Sequence, residues 1–269
     1  MRRDISDIVA GACAPYYPSV SAAMASRKEY FYSWRARGGS IEITLSDYLD
    51  GAPEEVLCDV AEMVCRRSKK LQWGEPESFL EYVTDPDFIA EYRPVYIKRS
   101  RNLTRSDMGE HFCLMDSVQR LLDDDMLQPG DIENAYMSWT VRDTTRRLGF
   151  CSTMFRVVGI SSVLDSPDVD DDMRDYVVYH ECLHLRQRYS GDSRHHDSRF
   201  RSWERAYPDW KGIEARLGRL HQQRTAGKGR RRAHEGSSTI LHGPGHRPQA
   251  AMKAVILSMV PDSDSDYHG

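Results

Sequence analysis

The chain has 269 residues, 40% of them apolar and 29% charged, which is ordinary globular usage and enough for one large domain or a domain with a smaller appendage. A formal net charge of -4 excludes a nucleic-acid polycation taken as a whole. No stretch approaches the ~20 apolar residues of a membrane span, and the opening Met1-Arg2-Arg3-Asp4 lacks a signal peptide's apolar run, so the expectation is a cytoplasmic protein without a membrane partner.

Residues 1–28 show no clear pattern. From Glu29 to Leu45 a hairpin is expected. Tyr30, Tyr32 and Trp34 alternate on one arm, Gly38-Gly39 supplies a turn, and Ile41, Ile43 and Leu45 alternate on the other. Pro53-Glu54-Glu55 reads as a helix start, continued by Val56, Val60 and Val64 and closed by Arg66, Arg67, Lys69 and Lys70. Residues 71–104 are less regular. A second amphipathic helix is expected from about Ser106 to Leu122, using Phe112, Met115, Val118 and Leu122. Strands are expected near Tyr136–Val141 and Phe155–Ile160. Beyond Gln222 the chain turns basic and rich in glycine, and 223–269 reads as a mostly disordered tail. The expected division is 1–130, an N-terminal α+β part, then 131–222, then the tail. Six cysteines (Cys13, Cys58, Cys65, Cys113, Cys151 and Cys182) form no C-x-x-C pair and fit reduced thiols.

The chemistry sits in Tyr179-His180-Glu181-Cys182-Leu183-His184-Leu185. On a helix, His180 and His184 project from one face a turn apart and can meet one Zn²⁺ at about 2.0–2.1 Å. Glu181 is then placed to reach a metal-activated water rather than the metal, the H-E-x-x-H arrangement of zinc peptidases. Cys182 points to another face, and a small buried residue is expected there and at Cys151. Tyr176, Val177, Leu183 and Leu185 imply that the helix is largely buried, and burying two histidines and a glutamate without a task is costly.

A catalytic zinc needs a third protein ligand. A metzincin would place Gly and His where this chain has Gln187 and Ser190, so that class fails. The candidates are His195, His196 and Glu204. His196, Phe200, Trp203 and Tyr207 follow helical spacing, with Pro208 as the stop, which would hold a first-turn histidine on an aromatic face. That favours His196, with Glu204 next and His195 last; at Glu204 a structural carboxylate near Arg201 or Arg205 is the stronger expectation.

The stretch YVVYHECLHLRQ…HHDSRFRSWERAYPDW resembles the YgjP-like and SprT-like minigluzincin metallopeptidases. His180, Glu181, His184, His196, Phe200, Pro208, Asp209 and Trp210 match their pattern, and Gly149-Phe150-Cys151-Ser152 is similar to their Gly-Ser-Cys element. The likeness covers roughly residues 135–215. The spacer between His184 and His196 is longer than in the YgjP pattern, Leu148 stands where a Trp is usual, and the four-cysteine ribbon of many SprT-like proteins is absent. The resemblance implies an α+β, zincin-like fold, a small mixed sheet packed on helices, with residues 131–222 as the metallopeptidase core. Its site would use His180, His184 and His196 as zinc ligands and Glu181 as the base.

The expected activity is that of a zinc metalloendopeptidase acting on a polypeptide substrate. The strand near Phe155–Ile160 would be the edge that pairs with it, and Tyr189, Arg199 and Arg147 are candidate oxyanion donors. A rival reading is a DNA-associated SprT-like protein. Arg186–Arg232 holds 14 Lys and Arg against 5 Asp and Glu, a formal +9 that leaves -13 for the rest, and could dock a phosphate backbone. A non-catalytic metal scaffold would have no need of Glu181.

Overall fold

A computed structural model describes residues 4–71, 74–189 and 196–235, with side chains to residue 222. The architecture is mixed α+β, with two three-stranded sheets rather than the single one expected, and the chain falls into two compact units. Of the described residues, one takes those up to Arg101 with Ser152–Arg156, Arg188 and Tyr189; the other takes Asn102–Cys151, Val157–Gln187 and the chain from His196 to Glu235. The first boundary therefore lies at Arg101, not at residue 130, because the helix at 114–123 packs on the motif helix and belongs with it. None of the helices among the described residues is long and apolar enough to cross a membrane.

In the first unit, the opening stretch without a clear pattern forms α1 (Ile5–Cys13), capped by the Asp4 carboxylate on the Ser6 amide, and β1 (Ser19–Ala25). The expected hairpin is present as β2 (Tyr32–Arg37) and β3 (Ser40–Ser46), antiparallel with Trp34 opposite Ile43. Gly38 and Gly39 take φ of 56° and 86°, a turn that side chains resist. Ile41, Ile43 and Leu45 are buried as their alternation requires, whereas Tyr30 precedes the strand and is exposed. β1 joins the far edge of β3 in parallel. Helix α2 (Glu54–Ser68) starts behind Pro53 as read, and the irregular 71–104 region forms α3 (Glu77–Thr84) and α4 (Pro86–Arg99). Phe31, Tyr48, Phe88, Tyr96 and Phe155 pack ring on ring in this core.

In the second unit, α5 (Leu114–Asp123) starts eight residues later than expected. The Asp165 carboxylate accepts the amides of Glu110, His111 and Phe112 at 2.5, 3.0 and 3.0 Å, so these residues form a loop instead of a first helical turn. Then come α6 (Pro129–Ile132), β4 (Tyr136–Trp139), β5 (Gly149–Ser152) and β6 (Val157–Ile160). The strand order is β4-β6-β5, with β4 parallel to β6. The strand expected at the edge is thus the fully buried central one, and β5 lies at the rim. Phe155 lies in the turn before β6 and belongs to the first unit. α7 (Asp171–Gln187) carries the motif, followed by α8 (Ser198–Glu204) and α9 (Trp210–Glu235). The first part of the expected disordered tail, 223–235, is helical: it continues α9 through a run rich in Arg, Lys and Ala, good helix formers, despite two glycines. Residues 236–269 lie outside the described residues.

Candidate metal centre

α7 is buried continuously from Met173 to Leu185, so its polar residues cannot turn to water. Two of them are satisfied within the fold. Arg174 donates to the carbonyls of Leu164 and Val169 at 3.2 and 3.1 Å and to Asp171 at 2.5 Å, with its guanidinium 3.5 Å from the Phe112 ring centre. Asp175 accepts both arms of Arg120 at 2.7 Å each. These contacts fix the helix.

His180 and His184 stand one turn apart on this fixed helix, ring centres 5.3 Å apart, and His196 closes the triangle at 5.2 and 5.0 Å. One ligand nitrogen from each lies within 4.8 Å of the others. His196 is not in the first turn of a helix, as its spacing suggested. Asp197 is the N-cap, taking the Phe200 amide at 2.7 Å, so His196 sits just outside α8. Phe200, fully buried, forms the floor: its ring centre is 5.2, 4.6 and 4.7 Å from those of His180, His184 and His196. His195 lies outside the described residues.

Glu204 does not join the three nitrogens. Its Oε1 is 2.8 Å from His180 Nδ1, which leaves Nε2 as the nitrogen facing the cluster. Burial favours a neutral carboxyl at Glu204, but the His180 hydrogen bond and charge outweigh it and hold the group below the usual carboxylate range. Burial likewise favours a neutral His180, and the hydrogen bond to Glu204 with the charges of Glu181 and Glu204 raises it instead. A carboxylate on the far ring nitrogen fixes the tautomer and the ring plane of a histidine ligand. Glu204 is therefore a structural carboxylate, within the field of Arg201 as expected but hydrogen-bonded to His180; its tie to His180 had no signal in the sequence, since it depends on how α8 packs across α7. Tyr179 fastens that packing by donating to the Trp203 carbonyl at 2.8 Å.

Glu181 lies against β5. A Cβ at Gly149 would come within 2.5 Å of Glu181 Oε1 and 2.7 Å of its Cγ, so only glycine admits this carboxyl. Both carboxyl oxygens are buried with no hydrogen-bond partner among the described residues, as is His180 Nε2. Burial pushes the Glu181 carboxyl up to about 7, against the pull of His180 and Arg147. Of the oxyanion candidates, Arg147 donates to the Gly149 carbonyl at 3.2 Å, Arg199 stacks on Trp203 at 4.8 Å, and Tyr189 falls in the first unit. Cys182 is buried and Cys151 half-buried.

The donor set suits a metal ion. Imidazoles, once deprotonated to the neutral form, are ligands for borderline divalent metals, and His180 offers a buried nitrogen with no partner among the described residues. No family model, curated protein or solved structure matches this chain.

Proposed function

We propose that the protein is a zinc-dependent metallopeptidase of zincin-like fold, with His180, His184 and His196 as the metal ligands and Glu181 as the general base. The observation that carries the reading is the pairing of a three-imidazole cluster with an adjacent buried carboxyl that has no hydrogen-bond partner among the described residues. A metal scaffold needs the first and has no use for the second.

Zinc, when bound, supplies Lewis acidity that polarises a scissile carbonyl and acidifies a water molecule. Glu181 accepts the proton of the attacking water at a carboxyl oxygen and delivers it to the departing amide nitrogen. Gly149 lets Glu181 sit at the sheet rim, and Glu204 holds His180 in the tautomer that offers Nε2. With β6 central, β5 is the strand beside Glu181 along which an extended polypeptide would lie.

The test pairs elemental analysis with Glu181→Gln. Protein purified without chelator carries one zinc per chain, and the variant keeps it while cleavage of denatured casein falls by about 10²–10⁴-fold. Absence of any transition metal, or a variant as active as the wild type, removes the proposal.

A nucleic-acid partner is the second reading, favoured by the formal +9 over Arg186–Arg232. Much of the described part of that charge is engaged locally. Arg186 pairs with Asp131 at 2.7 Å, Arg216 with Asp170 at 2.8 Å and with Asp172, while Arg205 and Lys211 lie over the Trp210 ring. Binding to duplex or single-stranded DNA at low salt, lost steeply as salt rises and weakened by truncation after Gln222, is the result that supports it; no binding at low salt ends it.

A further inference from the structure

The first unit contains a second cluster of reactive side chains, remote in sequence from the motif. Cys13 ends α1 and Cys65 lies in the last turns of α2. Both are fully buried, and the two sulfurs are 2.7 Å apart. That is closer than the common N–H···O distance of about 2.9 Å, although sulfur is the larger atom, and it approaches the roughly 2.05 Å of a disulfide bond. We propose that Cys13 and Cys65 are a disulfide-forming pair that, on oxidation by a small-molecule disulfide, staples α1 to α2.

The surroundings favour this pair over any other. Cys13 is also 3.5 Å from the Ala61 carbonyl, so its sulfur is held on the α2 surface between residues 61 and 65. The hydrogen bond from Cys65 holds the Cys13 thiol below its usual range, and the same bond with burial pushes Cys65 up; the exchange can begin with attack by Cys13, and attack by Cys65 gives the same product. Cys58, the remaining cysteine of this unit, is two turns from Cys65 on α2 and half-buried, about 10 Å along the axis and out of disulfide reach of it.

The reaction balances with glutathione disulfide as oxidant. The Cys13 thiolate attacks one glutathione sulfur. A Cys13–glutathione bond forms, the S–S bond of the reagent breaks, and one glutathione leaves with the proton given up by Cys13. The Cys65 sulfur then attacks Cys13 Sγ, forms the intramolecular bond and expels the second glutathione, which takes the Cys65 proton. Two protein thiols are oxidised and one disulfide is reduced to two thiols. The closed loop spans the whole of β1, β2 and β3, so the cross-link constrains the unfolded chain over a long segment.

The full chain, equilibrated in glutathione buffers of rising oxidised fraction, should lose two of its six thiols to maleimide labelling after denaturation. Non-reducing peptide mapping of the wild type, with cleavage after Glu62 to separate Cys58 from Cys65, should show the Cys13 and Cys65 peptides joined. The unfolding midpoint of the first unit should rise by about 5 °C or more on oxidation and return with dithiothreitol. Cys58→Ser should behave as the wild type, and Cys13→Ala should abolish the cross-link. Six thiols retained at the most oxidising ratio, a cross-link mapped to Cys58, or a cross-linked chain no more stable than the reduced one would each overturn the proposal. The mapping uses the wild-type chain, so poor folding of Cys13→Ala cannot obscure the result.

Discussion

Helices α2 and α7 are of similar length, 15 and 17 residues, and both are heavily buried, yet they bury opposite things. α2 hides Val56, Leu57, Val60, Ala61, Met63, Val64 and Cys65, an apolar face with most of its charges left outside; Arg67, half-buried, pairs with Glu75 and donates to Tyr32. α7 hides Arg174, Asp175, His180, Glu181 and His184 among its apolar residues. Each buried polar group costs several kcal/mol unless it is hydrogen-bonded. In α7 the groups divide cleanly. Arg174 and Asp175 are fully met by neighbours and hold the helix in place, whereas among the described residues Glu181 has no hydrogen-bond partner and His180 keeps one nitrogen unmet. The apolar face of α2 is packing that stability accounts for; in α7 stability leaves a remainder at Glu181 and His180, both in the motif.

Substitutions can break this contrast or sharpen it. The largest effect is expected at His196. His196→Ala should weaken zinc binding, measured by competition with a chromogenic chelator, by more than about 100-fold, beyond what loss of a ligand's hydrogen-bond partner usually causes. An unchanged affinity would mean that the triangle is not the metal site. Next comes Leu57→Ala in α2, which should cost about 2–5 kcal/mol in denaturant unfolding without changing zinc affinity. Coupling of the two quantities there would erase the distinction between the helices.

Glu204→Ala should lower zinc affinity about 10–100-fold. Glu204→Gln, which can still accept from His180 Nδ1, should recover most of the loss, an outcome that packing alone would not produce. The smallest effect is in the opposite direction. In metal-free protein, Glu181→Gln should raise stability by about 1 kcal/mol, because a neutral amide is cheaper to bury than an unmet carboxyl. A loss of stability would show that Glu181 has a structural task after all.

Much of this was legible in the chain itself. The hairpin was written in alternation and Gly38-Gly39, and α2 in its proline, its acids and its valines. The spacing of His180, Glu181 and His184 specified how they emerge from α7, because a helix converts sequence interval directly into angle. What failed depended on distant partners. The start of α5 is displaced by Asp165, more than fifty residues away, which takes the amides of residues 110–112. The placement of His196 outside α8 turned on whether Asp197 would cap. The rank of β6 as the inner strand, and the tie from Glu204 to His180, arise from packing order, which no local interval records.

The first sheet carries a consequence for how the chain is made. β1 leaves the ribosome first, but its partner is β3, in parallel, with Ser19 opposite Ser40 and Ala25 opposite Ser46. β2 and β3 need only the tight turn at Gly38-Gly39 to find each other, a microsecond event. β1 must wait for that hairpin, and then close a loop that contains the whole of β2. Order of synthesis and order of assembly are therefore reversed at this edge. Until β1 docks, the Ile41, Ile43 and Leu45 strand shows an open row of amides and carbonyls to any neighbouring chain. During synthesis, Ser40–Ser46 is therefore an unpaired edge until β1 arrives.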